Sequence, residues 1–199
     1  MRIAATALSI LVLAGAALPA AAQYGDVERT QAEIALEEAT ASLEGNRAAR
    51  SDAVTACAAR DYDACFRLGD MYRRGMGGLQ DYEKAAEAYR KSCNGKNGEG
   101  CAGLAYLTTH GRGMDADPAK ARILYEKSCD YGELSGCAAY GNMLYTGQGG
   151  SKNVAKGQRL LQDACDQDYK WACDRLTGLG AYQPDDDTWE RLKDAKSRY

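Results

Sequence analysis

Cysteine is the residue type whose spacing points most directly to chemistry in this chain. Eight cysteines form four Cys-x7-Cys pairs, and each pair follows the previous one after 36 residues. Thiols in such a pattern could form disulfides, bind a metal ion or act as redox nucleophiles. They are Cys57, Cys65, Cys93, Cys101, Cys129, Cys137, Cys165 and Cys173.

Structural disulfides explain this pattern better than the two alternatives. Zinc sites usually contain Cys-x2-Cys or a mixture of cysteine and histidine, and the chain has one histidine, His110, and no Cys-x2-Cys. Enzymes of disulfide exchange rely on an exposed thiol of low pKa, often in Cys-x-x-Cys. We therefore expect four disulfides, and neither a metal nor a cofactor.

The first 22 residues predict export. Arg2 precedes an apolar stretch that ends in Ala20 to Ala22, which is the layout of a cleaved secretory signal peptide. A membrane anchor is the alternative, but Gly15 and Pro19 interrupt the stretch, which is short for a membrane span. Because disulfides stay closed in an oxidising compartment, we expect a periplasmic or secreted protein.

The charge pattern argues against nucleic acid as a partner. The net charge is −3 at pH 7, and no block of Lys or Arg provides the electrostatic surface that nucleic acid or anionic lipid requires. No later segment is apolar enough to span a bilayer. We expect a monomer without a membrane span after signal cleavage.

The period of 36 residues predicts stacked helical repeats. The first half of each copy has large apolar residues at helical spacing and is expected to form helix A. Two glycines follow, Gly75 and Gly77 in the first copy, and suggest a turn with positive φ angles. A phosphate-binding Gly-x-Gly loop would follow a strand, so it is not favoured. The apolar positions are Leu68, Met71, Tyr72, Leu104, Leu107, Tyr140, Met143 and Leu144.

The second half of each copy is expected to form helix B after an N-cap such as Asp81. Ala85, Tyr89 and Cys93 then share one face, which is expected to pack on helix A, although a cofactor site is the alternative. Cysteines eight residues apart on one helix would lie about 12 Å from each other, too far for a disulfide. The chain must turn between them, so each bridge joins a helix B to the next helix A. The other N-caps are Asp117 and Asn153.

The sequence predicts four segments. They are a signal peptide at 1–22, an N-terminal capping helix at 23–45, a repeat solenoid at 46–182 and a C-terminal capping helix at 183–199. Asn46 to Cys57 is expected to supply the helix B of a degenerate first copy. In the last segment, Asp187 and Glu190 resemble a capping box, and Trp189 is expected to cover the final apolar edge.

The combination of Gly-x-Gly, an N-cap four residues later, and Ala and Tyr at helical spacing resembles the Sel1-like repeat, a relative of the tetratricopeptide repeat. With Cys-x7-Cys at every junction, the chain is similar to the Hcp-type cysteine-rich subfamily of exported bacterial proteins. The resemblance covers about Asn46 to Tyr182. It implies an all-α fold, an α/α superhelical solenoid of about four helix-turn-helix repeats. Because the third copy has Gly157 and Leu161 in place of Ala and Tyr, we expect looser packing there.

Family resemblance implies an interaction scaffold that binds a protein or peptide in the cell envelope. Some Hcp-type members are described as penicillin-binding proteins or weak β-lactamases, and related eukaryotic members assist respiratory-complex assembly. Serine β-lactamases use Ser-x-x-Lys, Ser-Asp-Asn and Lys-Thr-Gly, whereas this chain has only the fragment Ser51-Asp52-Ala53, so no catalytic residue is nominated.

Positions on helix A that vary between copies are the candidate binding residues. Core positions stay apolar, whereas these neighbouring positions change from Arg or Asp to Tyr, Thr, His or Asn, as expected for the concave groove of a solenoid. The alternative is that they are only solvated surface. A cell-wall fragment is a second candidate ligand. The candidates are Arg67, Asp70, Arg73, Arg74, Tyr106, Thr109, His110, Asn142 and Tyr145.

Overall fold

The computed structural model describes residues 30–180, and these residues form eight α-helices. The predicted signal peptide and C-terminal capping helix lie outside the described residues. The chain divides into two compact units, one that ends at Ala39 and one that begins at Thr40. The helices are α1 (Gln31–Ala58), α2 (Tyr62–Arg74), α3 (Tyr82–Asn94), α4 (Gly98–His110), α5 (Pro118–Asp130), α6 (Leu134–Thr146), α7 (Val154–Asp166) and α8 (Lys170–Gly178).

The helices alternate between the predicted A and B types. Three complete pairs follow one another as α2 with α3, α4 with α5, and α6 with α7, and α8 adds a further helix A. Ala53 and Cys57 of α1 pack in one apolar cluster with Leu68 and Met71 of α2, so this part of α1 acts as a helix B. Within the described residues, the all-α solenoid with helix-turn-helix repeats is therefore confirmed.

The helix termini have the predicted capping residues. The side chains of Asp81, Asp117 and Asn153 each accept a hydrogen bond from the backbone N–H three residues later. α2, α4 and α6 each end at a glycine C-cap with positive φ, as in Gly75 with φ of 75°, whereas the C-cap of α8 is Leu179. The N-caps satisfy amide groups that would otherwise lack a partner, which stabilises each helix start by about 1 kcal/mol.

The core lies between the A and B helices and is rich in alanine. Ala85, Cys101 and Leu107 are fully buried, and Tyr89 is 1% exposed. Buried serines add hydrogen bonds between the helix B and the helix A of the same pair. Ser128 Oγ donates to the carbonyl oxygen of Gly98 at 2.8 Å, and the equivalent Ser92 donates to Tyr62 in the same way. The repeat period is therefore present in polar as well as apolar contacts.

All eight cysteines form the four predicted disulfides. The Cα atoms of the bridged residues lie between 4.3 and 4.8 Å apart, whereas a continuous helix would separate them by about 12 Å. Each bridge closes the turn between a helix B and the following helix A. The four expected disulfides and the turn that helix geometry requires between the two cysteines of each pair are confirmed.

The expectation of looser packing in the third copy is wrong. A Cβ atom on Gly157 would lie 2.6 Å from the carbonyl oxygen of Gly141, and one on Gly141 would lie 2.9 Å from that of Gly157. The two glycines therefore let the backbones of α6 and α7 approach each other closely, and Leu161 remains fully buried. Smaller side chains draw the helices together instead of leaving space.

The N-terminal boundary differs in detail from the sequence prediction. The expected division between a capping helix and the solenoid fell after residue 45, whereas α1 continues from Gln31 to Ala58 without a break. Its buried residues, Ala53 and Cys57, lie in the last part of the helix. The assignment of separate domains stays a prediction. Between residues 30 and 180, no helix is long and apolar enough to cross a membrane.

Candidate functional site

Two adjoining clefts lie along the A helices. The larger has a volume of about 540 Å³, and its lining includes Tyr106, His110, Tyr125, Asn142, Tyr169 and Trp171. We call it the aromatic cleft. The smaller has a volume of about 330 Å³, and its lining includes Phe66, Asp70, Arg73, Arg74, Glu99 and Glu133. We call it the charged cleft. Ala102, Tyr106 and Ser135 line both, so the clefts form one continuous groove.

The repeat architecture explains why these side chains meet. Equivalent residues of successive A helices point in the same direction, because each copy repeats the orientation of the one before. Asp70, Tyr106 and Asn142 are equivalent residues of α2, α4 and α6, and all three line the groove. These equivalent positions therefore carry different side chains, but all of them face the groove.

The structure places seven of the nine sequence-predicted residues in the groove. Asp70, Arg73 and Arg74 line the charged cleft. Tyr106, Thr109, His110 and Asn142 line the aromatic cleft, and Tyr106 lines both.

The other two predicted residues, Arg67 and Tyr145, do not line either cleft. Arg67 forms an exposed ion pair with Asp61 at 3.7 Å. The ammonium group of Lys152 lies 5.8 Å from the ring centroid of Tyr145.

Asp70 organises the arginines of the charged cleft. Its carboxylate forms ion pairs with both Arg73 and Arg74, the latter at 2.8 Å. Arg73 Nε also donates to the hydroxyl of the buried Tyr89 at 3.2 Å. The two guanidinium groups are therefore partly neutralised and held in place by their neighbours, so this cleft presents a positioned ion-pair network.

Carboxylates line the opposite part of the charged cleft. Burial, together with the nearby carboxylates of Glu133 and Asp63, raises the pKa of Glu99 above its usual value. Glu133 also caps α6, since its carboxylate accepts hydrogen bonds from the backbone N–H and the hydroxyl of Ser135. The charged cleft therefore contains both signs of charge.

The aromatic cleft has no Asp, Glu, Lys or Arg among its lining residues. Tyr106 is held between His110, whose ring centroid lies 4.3 Å away, and Arg112, whose guanidinium carbon lies 5.4 Å from the tyrosine centroid. His110 Nδ1 lies 2.8 Å from the carbonyl oxygen of Tyr106. These contacts orient both rings before any ligand arrives.

Asn142 is oriented by a residue from the next helix A. Arg175 Nε donates to Asn142 Oδ1 at 2.6 Å, over a separation of 33 residues in the sequence. Because a guanidinium group only donates, the amide oxygen must face it and the amide nitrogen is left as a donor. Asn142 therefore offers an N–H group from a side chain that is already positioned.

Sequence analysis missed three aromatic residues of this cleft. Tyr169 occupies the N-cap position of α8, where the equivalent Asp61, Asn97 and Glu133 all cap their helices through a side-chain hydrogen bond and Tyr169 makes none. Trp171 is 44% exposed on the same helix. The signal was present in the sequence, because an aromatic residue replaces a capping residue only in the last copy.

Tyr125, the third missed residue, comes from a helix B. It is equivalent to the buried Tyr89, yet it lines the aromatic cleft. Burial raises its pKa to about 12, although a hydrogen bond with Thr109 acts in the opposite direction. Its repeat position, equivalent to that of Tyr89, predicts the face of helix B that packs on helix A, and the structure shows that this residue also reaches the groove.

The groove is lined by aromatic, amide and charged side chains. Among residues 30–180, no group of three or more His, Cys, Asp or Glu side chains is placed to hold a metal ion. Every cysteine of the chain is in a disulfide, so the structure places no free thiol beside the groove. Aromatic rings, amides and paired charges are groups that recognise a ligand through contact and hydrogen bonding.

Similar structures have the same fold. A Sel1 repeat protein from Oxalobacter formigenes is 23% identical, with a TM-score of 0.63, over 77% of this chain and 64% of its own. A protective antigen of uropathogenic Escherichia coli strains, described as displaying an SLR fold, is 23% identical, with a TM-score of 0.63, over 76% of this chain and 34% of its own. The chain thus spans less than two thirds of the length of either protein.

A cysteine-rich relative is also similar. Helicobacter pylori cysteine rich protein B is 25% identical, with a TM-score of 0.51, over 64% of this chain and 96% of its own. A comparison with curated proteins found no match. The Sel1 repeat model matches residues 63–97, 98–132 and 134–169, which together make up more than half of the sequence. With three matching repeats over this length, the chain belongs to the Sel1 repeat family.

Proposed function

We propose that the protein binds a segment of another protein in the groove formed by its A helices. Sel1 repeats typically serve as scaffolds for protein–protein interaction. The observation that carries the proposal is the continuity of the two clefts, whose lining includes seven of the nine candidate residues. Tyr, Trp and Arg, which line this surface, are the residues that most often dominate binding energy in protein interfaces.

We also propose that this binding takes place outside the cytoplasm, in the periplasm or after secretion. The four disulfides support export, because such bridges persist in oxidising compartments. The signal-like sequence of the first 22 residues agrees with it. Measuring the compartment by fractionation of producing cells, with and without residues 1–22, tests this part independently.

Site-specific photo-crosslinking tests the groove directly. A benzophenone amino acid is placed at Ala102, which lines both clefts, and at Arg90, which is exposed on α3 and lines neither. The two variants carry the same probe, so they differ only in position. After irradiation in an envelope extract, we expect a defined protein adduct with the Ala102 variant and none with the Arg90 variant.

The location of the adducts decides the outcome. Equal labelling by both variants would contradict a specific groove, since it would show collision rather than binding. Adducts from the Arg90 position alone would place the interface on the B helices instead. Hydrolysis of a β-lactam by the purified chain, abolished by substitutions in the groove, would replace the binding function by an enzymatic one.

A further inference from the structure

The aromatic cleft differs from the charged cleft in a way that selects its ligand. Its lining has aromatic rings and polar groups but no Asp, Glu, Lys or Arg. A charged ligand group placed there would lose water without gaining a partner of opposite charge, which is costly. The lining of the aromatic cleft therefore suits an uncharged part of a ligand.

The rings of the cleft suit a large apolar side chain. Tyr169 and Trp171 approach it from the N-terminal end of α8, with ring centroids 6.3 Å apart, and Tyr106 lines it from α4. Trp171 is 44% exposed, so its contact area is still available. Aromatic rings gain energy from contact with apolar and aromatic groups beyond the effect of burial.

The loss of the N-cap on α8 supports a ligand role for Tyr169. Three equivalent residues each accept a capping hydrogen bond, and Tyr169 makes none. Replacing a capping residue by one that cannot cap destabilises the start of the helix. Departures from local structural rules tend to occur where a residue has a functional role.

Two side chains of the cleft present opposite hydrogen-bonding groups. Arg175 donates to Asn142 Oδ1, so the amide nitrogen of Asn142 remains a donor. The carbonyl oxygen of Tyr106 only accepts, so His110 Nδ1 carries the proton in this contact and Nε2 of the neutral ring is an acceptor. One donor and one acceptor match the C=O and N–H groups of a peptide backbone.

We propose that the aromatic cleft binds an extended, uncharged segment of the partner protein that carries a large apolar side chain, with a backbone carbonyl accepting from Asn142. Arg175 is a positioning residue, because it orients the Asn142 amide without lining the cleft. This inference rests on the proposed function and adds the chemistry of the bound segment. Flanking residues of either charge would lie in the charged cleft.

The test uses the full chain and a phage-displayed library of random peptides. We expect the selected peptides to share an uncharged stretch around a large apolar residue. The variant Asn142→Asp keeps the contact with Arg175, because a carboxylate also accepts, but it removes the donor. We expect it to weaken binding of the selected peptide by about tenfold or more while the melting temperature does not fall. Asn94→Asp, an identical change at an exposed position of α3, should bind as the wild type does.

Each outcome has a distinct meaning. The selected peptides could crosslink at Ala102 and yet bind the Asn142→Asp variant with an affinity within twofold of that for the wild type. This result would overturn the inference and leave the proposed function intact. Selected peptides that place charged residues against the aromatic cleft would overturn it as well. An N-acetylated chito-oligosaccharide that binds in an Asn142-dependent way, with no peptide selected, would overturn both the peptide assignment and the proposed function.

Discussion

The second glycine of each Gly-x-Gly turn provides the sharpest test of how the repeats stack. Gly113 has a φ of 70°, and a Cβ atom there would lie 2.5 Å from the carbonyl carbon of Tyr82. Gly77 and Gly149 would make equivalent clashes with the backbones of Asn46 and Pro118. The contacted residues belong to the preceding helix B, so this glycine allows one copy to pack against the next.

Gly113→Ala should therefore destabilise the fold through two effects. The positive φ costs roughly 1–2 kcal/mol for a residue with a Cβ atom. The clash with backbone atoms adds about 1–3 kcal/mol, which is typical of overpacking. We expect a total loss of roughly 2–5 kcal/mol in the free energy of unfolding.

Gly132→Ala is a matched control within the same chain. Gly132 has a φ of 83° but no heavy atom within 4 Å of the Cβ position. This variant should lose only the conformational part, roughly 1–2 kcal/mol. Urea unfolding of the oxidised proteins, followed by far-ultraviolet circular dichroism, measures both values. Equal losses in the two variants would refute the claim that the second glycine is required for stacking.

Three further predictions concern the disulfides, the buried serines and the tyrosines. Replacing Cys93 and Cys101 together by Ala should lower the free energy of unfolding by roughly 2.5 kcal/mol, measured in urea; an unchanged midpoint would show that the bridge constrains nothing. Ser128→Ala should lower the free energy of unfolding by about 1–2 kcal/mol in the same assay, because it leaves the Gly98 carbonyl without its 2.8 Å hydrogen bond. The control Ser151→Ala, in an exposed loop, should change it little. Burial raises the pKa of both Tyr89 and Tyr125 to about 12, so the folded state keeps protons that the unfolded state loses above about pH 10. The contribution of the two tyrosines to stability is present below about pH 10 and is lost as the pH rises toward 12. Tyr125→Phe should reduce this loss. A urea-unfolding midpoint that is independent of pH in this range would contradict the burial of these hydroxyl groups.

Repetition explains why so much of the fold could be predicted. The N-caps, C-terminal glycines and cysteines recur at equal spacing, so each copy provides independent support for the same local structure. Helix geometry then predicted which helices the bridges join, because only a turn brings two cysteines eight residues apart within bonding distance. Period and local chemistry were sufficient for these features.

Features that depend on contacts between helices were harder to predict. The contact between Arg175 and Asn142 joins residues of consecutive A helices, and no local pattern indicates it. The close approach of α6 and α7 depends on two glycines that lie on different helices, Gly141 and Gly157. By contrast, the ion pairs of Asp70 with Arg73 and Arg74 have helical spacing and could have been predicted.

The aromatic cleft shows what a comparison restricted to helix A positions overlooks. Tyr169 precedes α8, and Tyr125 belongs to a helix B, so neither was among the compared positions. Comparison of every repeat position, including the caps, would have shown the change from Asp61, Asn97 and Glu133 to Tyr. The groove residues on the A helices could therefore be predicted from the sequence, whereas those at the N-cap of α8 and on helix B were overlooked.

Filling the groove tests the central claim most directly. The measurement is the dissociation constant of the partner identified by crosslinking, for two variants of this chain. Ala139→Trp places a large side chain in the aromatic cleft, and Lys127→Trp places the same side chain on the exposed surface of α5. If the partner occupies the groove, Ala139→Trp should weaken binding by at least about a hundredfold, in the range of an interface hot spot, while Lys127→Trp leaves it unchanged. Unchanged affinity of a folded Ala139→Trp variant would contradict binding in the groove.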